Sequence, residues 1–216
     1  LRGGGRTGLN FKNYFSFNFN FNSFTLAEVL ITLVVIGIVA AITTPIIMAN
    51  LQKQEYVKRL RKADSTLRQA VLKISVDEGA SVGDFSFMNN DDFFYSFVNV
   101  LNTNKVCYEN NQGCFTDKIM IGLNGSQWGN YHNNKNSLIT NDGIAYEWRN
   151  NINNICTAKG LSTEDEANCI GRFIVDINGE ANPNQFGRDI FFFAVVDKKG
   201  IVPAGSGNNS RDCTKS

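Results

Sequence analysis

The chain has 216 residues, 43% of them hydrophobic, with 21 basic and 20 acidic side chains for a formal net charge of +1. A balance so close to zero argues against a dedicated nucleic-acid binder, and no nucleic-acid partner is expected. Setting aside one long apolar run near the N-terminus, about 160 residues remain, enough for one small domain with its own core.

The first 23 residues hold Arg2, Arg6 and Lys12 and no acid, like the basic leader of an exported protein. Their Phe17-Asn18-Phe19-Asn20-Phe21-Asn22 stretch is of low complexity. No Met precedes Met48, so Leu1 is read as an alternative start or the edge of an incomplete reading frame. An ordinary secretory signal has an apolar core of about 7 to 15 residues and is cut after it. Here Val29 to Met48 is a run of twenty residues without a charge, and the small residue suited to cutting, Ser23, precedes it. A helix of that length crosses roughly 30 Å at about 1.5 Å per residue, the hydrocarbon thickness of a bilayer. A single acid, Glu28, stands at its start. A carboxylate there is unfavourable, most of all if drawn toward the bilayer centre, and with no basic neighbour in its own helix it asks for a partner.

Ser23-Phe24-Thr25-Leu26-Ala27-Glu28 followed by Val29-Leu30-Ile31-Thr32-Leu33, with Gly37 interrupting the apolar run and Pro45 near its outer end, resembles the prepilin cleavage and methylation motif. That motif marks type IV pilins and the pseudopilins of type II secretion systems. Ser23 stands where the family more often has Gly. The resemblance implies that a prepilin peptidase cuts between Ser23 and Phe24 and that the new amine of Phe24 is N-methylated. It further implies that Glu28 pairs with the corresponding amine of an identical or homologous subunit during assembly. Each charge is unfavourable in hydrocarbon, and pairing neutralises both. Gly37 and Pro45 would let the apolar segment loosen as an assembly platform draws it from the inner-membrane lipid into a filament. Both flanks of the run are basic, with Lys53, Lys58, Arg59, Arg61, Lys62 and Arg68 beyond it, so the charge rule does not set the topology. The processing motif does: leader in the cytoplasm, C-terminal domain outside.

Beyond Pro45 the pattern becomes amphipathic. Leu60, Leu67, Val71 and Ile74, with Ala63 and Ala70, share one side and Lys and Arg take the others. Glu55 and Arg59, four apart, are spaced for a salt bridge. One helix from about Phe24 to about Val76 is expected, ending before Gly79-Ala80, with a kink or loosening at Pro45, which lacks an amide proton. Its outer stripe needs a sheet to cover it.

Asp91-Asp92 ahead of Phe93, Phe94 and Phe97 predicts an acid-capped short helix. Asn141-Asp142-Gly143 is a tight turn between Ser137-Leu138-Ile139-Thr140 and Ile144-Ala145-Tyr146-Glu147-Trp148, a hairpin. Ser162-Thr163-Glu164-Asp165-Glu166 carries overlapping capping boxes and predicts a short helix containing Cys169. Arg172 to Asp176 and Ile190 to Val196 are rich in β-branched and aromatic residues, and Asp197-Lys198-Lys199-Gly200 turns the latter into Ile201-Val202. In Phe191-Phe192-Phe193 alternate rings fall on both sheet faces, so one face meets the helix and the other meets another element or subunit.

Five cysteines, Cys107, Cys114, Cys156, Cys169 and Cys213, suit an oxidising compartment. The spacings suggest Cys107 with Cys114 and Cys156 with Cys169, although two bridges and one free thiol allow fifteen arrangements. Zinc is the rival reading, but no Cys-x-x-Cys occurs and His132 is the single histidine. That histidine has no nucleophile motif beside it, so no enzymatic activity is expected.

The segment 176–189 gathers oxygen donors between two strands. Hard cations take six to eight oxygens, and Asp176, Asn178, Glu180, Asn184 and Asp189 are candidate calcium ligands. The spacing is not that of an EF-hand, and Arg188 opposes a cation. Asn and Asp side chains bonding their own backbone would give the same composition. The family resemblance implies calcium more strongly, because many pseudopilins bind it in a loop near the sheet. No cofactor is required.

The expected architecture is α+β and pilin-like, with a long N-terminal helix, membrane half plus amphipathic half, packed on a small antiparallel β-sheet. Residues 1–23 form the cleaved leader, 24–52 the transmembrane and assembly helix, 53–78 its amphipathic half and 79–216 the globular domain. The expected function is a structural subunit of a type II secretion pseudopilus or type IV pilus. A membrane-anchored extracytoplasmic binding module with an uncleaved N-terminus is the alternative.

Overall fold

The computed structural model describes residues 25–79, 84–85, 90–108, 113–115, 119–128, 136–150, 156, 161–179 and 181–204. The chain divides between Met48 and Ala49 into two units. Helix α1, Leu26–Asp77, contributes to both and continues through Pro45.

In the first unit α1 is apolar nearly all round, and among the described residues its large hydrophobic side chains are left exposed. Ile31 and Ile36 are each 64% exposed and Ile42 62%. A surface of that kind is stable only against lipid or other helices. Its hydroxyls are already satisfied: Thr32 donates to the Val29 carbonyl at 2.9 Å, Thr43 to Val39 at 2.9 Å and Thr44 to Ala40 at 2.7 Å. Polar side chains that return their hydrogen bonds to their own helix suit a medium without water.

In the second unit the stripe read from the sequence is the buried one. Ala63, Leu67, Ala70, Val71 and Ile74 are almost wholly buried, and Leu60 packs at the margin. The helix ends where Gly79 takes a φ of +66°, while the Glu78 amide still donates to the Ile74 carbonyl at 3.0 Å. Gly adopts that left-handed conformation without steric penalty.

The stripe is covered by a six-stranded antiparallel sheet. Its strands are β1 (Thr103–Cys107), β4 (Ser137–Thr140), β5 (Ala145–Asn150), β6 (Cys169–Asp176), β7 (Ile190–Val196) and β8 (Gly200–Pro203), adjacent in that order. The expected hairpin is β4 and β5, closed by Gly143 at φ +78° with its amide donating to Thr140 at 2.9 Å. Helix α2, Asn90–Val100, sets Phe93 and Phe97 one turn apart against the same face. Phe93 lies 4.7 Å from Trp148 and Phe97 4.4 Å from Phe173, ring centre to ring centre. Offset aromatic pairs of this kind add to the stabilisation given by burial alone. Gly171 is where the sheet tolerates no side chain, since a Cβ there would lie 2.5 Å from the Trp148 ring.

The opposite face has its own cover. Ala145, Ile174 and Ile190 pack with Phe115 and with Met120 of a second, two-stranded sheet, β2 (Met120–Ile121) and β3 (Gln127–Trp128). Phe192 stacks on Phe186 at 4.7 Å while Phe193 enters the helix-side core. The alternation expected at these rings is what the sheet shows. Buried Glu147 pairs with Arg149 on this outer face, and the Arg172 guanidinium lies 4.8 Å above the Phe192 ring.

One expected element differs. The helix after Ser162 is α3, Thr163–Ala167, capped by Ser162, whose hydroxyl accepts the Asp165 amide at 3.1 Å. It does not contain Cys169, which opens β6 and pairs with Val196. Asn168 stops the helix by bonding back to the Glu164 carbonyl through both amide and side chain.

Candidate functional site

Two places gather the residues that the sequence singles out. The first is the entry to α1. Ser23 and Phe24, the expected cleavage and methylation positions, lie outside the described residues together with the leader. Glu28 occupies the third position of the helix and Thr25 the cap. The Thr25 amide and hydroxyl both donate to Glu28 Oε2, at 2.8 and 2.9 Å, and the Glu28 amide donates to Thr25 Oγ1 at 3.3 Å. This is a reciprocal capping box, which satisfies two orphan donors of the first turn. The sequence shows no basic neighbour for Glu28 in its own helix; Thr25 meets its hydrogen bonds there without supplying an opposite charge. Thr25 was missed although Thr-x-x-Glu before an apolar run is a helix-start signal.

Further along, a Cβ on Gly37 would meet nothing within 4 Å, so no contact among the described residues requires glycine there. Pro45 has no N–H to offer the Ala41 carbonyl one turn back, yet the helix runs on. Both residues sit on a surface that only lipid or another helix can cover.

The second place is the loop between β6 and β7. Asp176, Asn184 and Asp189 are completely buried or nearly so, at 0%, 1% and 0% exposure, and Asn178 is half-buried. Glu180 lies outside the described residues. Asp189 is the organiser: its Oδ1 accepts the Gln185 amide at 2.6 Å and its Oδ2 the Asn184 amide at 2.8 Å. Asn184 is thereby held at φ +52°, a left-handed conformation that Asn tolerates better than most residues. Asp176 Oδ1 accepts the Asn178 amide at 3.1 Å, and Asn178 Nδ2 reaches the Asn182 carbonyl at 3.3 Å. Three buried oxygens then remain without a hydrogen-bond donor among the described residues: Asp176 Oδ2, Asn178 Oδ1 and Asn184 Oδ1.

Orphaned buried oxygens are costly, and each of these three would be relieved by a hydrogen-bond donor or a cation. Burial pushes the Asp176 carboxyl up to about 8, against the pull of the Asn178 and Gly179 amides, and the Asp189 charge raises it further. Among the described residues no three His, Cys, Asp or Glu side chains gather around a point that could hold a metal. The donors here are carboxylate and carboxamide oxygens, the chemistry of a hard cation. Arg188, whose charge opposes a cation here, is exposed. The loop is tied to α1, where Arg59 donates to the Ile177 carbonyl at 3.1 Å, and Lys62 of the same helix pairs with Asp142 of the separate β4–β5 turn at 2.8 Å. Those contacts span too much sequence for spacing to reveal them. The local Glu55–Arg59 pair, at 3.0 Å, was expected.

The cysteines pair as the spacings suggested. Cys107 bonds Cys114 and Cys156 bonds Cys169, with Cα separations of 5.8 and 6.3 Å. Cys213 and His132 lie outside the described residues.

Residues 18–44 match the prokaryotic N-terminal methylation motif, the signature of type IV pilins and pseudopilins. The match covers Ser23, Phe24, Glu28 and Gly37 and stops one residue short of Pro45. Comparison with curated proteins and with solved structures returns no match.

Proposed function

We propose that this chain is a structural subunit, a pilin or pseudopilin, of a type IV pilus or a type II secretion pseudopilus. A prepilin peptidase cuts it between Ser23 and Phe24, and the Phe24 amine is methylated. An assembly platform then moves the apolar half of α1 from the inner membrane into a filament of identical or homologous subunits, with the sheet domain outside the cytoplasm. One observation carries the reading. The methylation motif at 18–44 includes the start of a helix whose first half is apolar and exposed, and whose second half is buried on one stripe against a sheet. Within a filament the apolar halves would exchange lipid for one another, leaving the sheet domains as the shell.

Glu28 is the assembly contact in this reading. The capping box meets its hydrogen-bonding needs but leaves its charge, which the Phe24 amine of a neighbouring subunit would neutralise. Intact-mass measurement of the protein taken from its native membrane tests the processing. A chain beginning at Phe24 and heavier by one methyl group is expected; an uncut N-terminus would sink the proposal and favour a membrane-anchored binding module.

The three orphan oxygens support a second reading, of the loop alone: Asp176, Asn178 and Asn184 hold calcium, with Asp189 shaping the loop and adding negative charge. Calcium would supply the positive charge that offsets the buried carboxylates. Isothermal titration of the full chain in detergent with calcium chloride should give a binding heat, and its absence would remove this reading.

A further inference from the structure

We infer that cation occupancy of the 176–189 loop governs whether the β2–β3 hairpin is seated on the outer face of the sheet. The inference rests on the calcium reading of that loop. Two strands of two residues each are far too short to hold themselves together or in place. What holds β2 is the loop. The Ile121 amide donates to the Asn184 carbonyl at 3.1 Å, the Phe186 amide donates to the Ile121 carbonyl at 2.9 Å, and Gln185 Nε2 donates to the Gly122 carbonyl at 3.3 Å.

Asn184 is therefore shared by two structures. Its carbonyl anchors the hairpin, its amide is fixed by Asp189, and its side-chain Oδ1 is one of the three oxygens without a donor. Its left-handed backbone is an uncommon conformation that persists only when the surroundings enforce it. With no cation, the desolvated oxygens of Asp176, Asn178 and Asn184 and the proximity of Asp176 to Asp189 all favour opening of the loop. Opening removes every hydrogen bond just named between loop and hairpin, and with them the seat of Met120, which is 1% exposed among Phe115, Ile174 and Ile190. A bound cation closes the loop and, through Asn184, closes the hairpin. The device is a clasp on the sheet face away from α1.

Hydrogen exchange of the full chain in detergent micelles tests it, with calcium chloride as the probe and its affinity taken from titration of the same sample. If hairpin release requires an empty loop, exchange at the Ile121 and Phe186 amides slows by the factor one plus the ratio of calcium to Kd, about 100-fold at 100 times Kd. Amides in the centre of β7 should not follow that factor. Asp176→Asn, which preserves the carbonyl that accepts the Asn178 amide, should lose both the binding heat and the slowing. Should that variant fail to fold, Asn178→Ala removes an orphan oxygen from a half-buried position, and its slowing should shrink in step with its affinity. A clear binding heat with unchanged exchange at Ile121 and Phe186 overturns the clasp while leaving the calcium site standing. No binding heat at all overturns both.

Discussion

Glu28 and Asp176 are both carboxylates at places where a charge is unwelcome, and their surroundings treat them in opposite ways. Glu28 opens an apolar helix, is exposed, and has its hydrogen bonds met by Thr25 three residues earlier. Asp176 ends a central strand, is wholly buried, and keeps one oxygen with no donor. The first is a local arrangement that is complete in hydrogen bonds and incomplete in charge. The second is incomplete in both. In the proposed reading the satisfied acid on the bare apolar helix serves another subunit, and the unsatisfied acid inside the domain serves an ion.

The largest effect should come from taking the charge off the helix. Glu28→Ala is expected to insert in the membrane at the normal level, because an apolar residue there only favours insertion. The sheared, assembled fraction should fall by more than about tenfold, since nothing is left to neutralise the neighbouring amine in hydrocarbon. Immunoblots of sheared and membrane fractions read both quantities. Filaments at the normal level would mean that the contrast with Asp176 has been misjudged and that the exposed acid is only the polar edge of the span.

Next in size is the corresponding change inside the domain. If the loop binds calcium as proposed, unfolding of the unaltered chain should shift by about 2.7 kcal/mol at calcium 100 times Kd, and Asp176→Asn should abolish that shift. Thermal unfolding with and without calcium measures it. If the variant retains the full calcium shift, the orphaned oxygen is not a ligand.

How much of this was legible in the sequence differs between the two sites for a physical reason. The helix and its buried stripe follow from a period of 3.6 residues sustained over many turns, and Leu67, Val71 and Ile74 are buried as that period requires. The β4–β5 hairpin, β6, β7 and β8 announce themselves by turn residues and β-branched runs. Strands β2 and β3, of two residues each, are too short to have a period, and β1, Thr-Asn-Lys-Val-Cys, shows only a partial alternation in burial. At the candidate sites the donor residues could be read but not their division of labour. That Asp189 grips the amides of Asn184 and Gln185 whereas Asp176 Oδ2 is left open depends on which backbone amides fold toward each, and no spacing rule encodes that. Arg59 meeting the Ile177 carbonyl across 118 positions is out of reach for the same reason.

A pH titration sharpens the comparison at the buried acid. Asp176 has its folded-state value raised from an ordinary 3.8 to about 8 by burial and by Asp189. Between those two values the unfolded chain has released the proton while the folded chain still holds it, so folding binds a proton. Without a cation, stability should therefore fall as pH rises from about 4 to about 8 and level off beyond. The charged group acting on it is Asp189, whose charge raises its value further, and the Asn178 and Gly179 amides pull the other way. With calcium saturating, the carboxylate is held ionised and the fall should vanish. Denaturant melts across that range check it, and a cation-free profile that rises over the same window would show that Asp176 is ionised in the folded chain without help.

The smallest effect is expected at Thr25, where the exposed acid is cared for by its own helix. Thr25→Val keeps the shape and the backbone amide that donates to Glu28 at 2.8 Å, but removes the hydroxyl that both donates to the carboxylate and accepts its amide. Loss of a Thr cap weakens a helix end by about 1 kcal/mol. Hydrogen exchange at the Glu28 amide should accelerate accordingly, and Thr25→Ser should restore it. Assembly should drop only in part, because the carboxylate keeps its charge and one of its two donors. A drop as deep as that of Glu28→Ala would mean that the hydroxyl alone aims the carboxylate at the neighbouring subunit. The capping box would then be part of the assembly contact itself, and the local and intermolecular roles of Glu28 could not be separated.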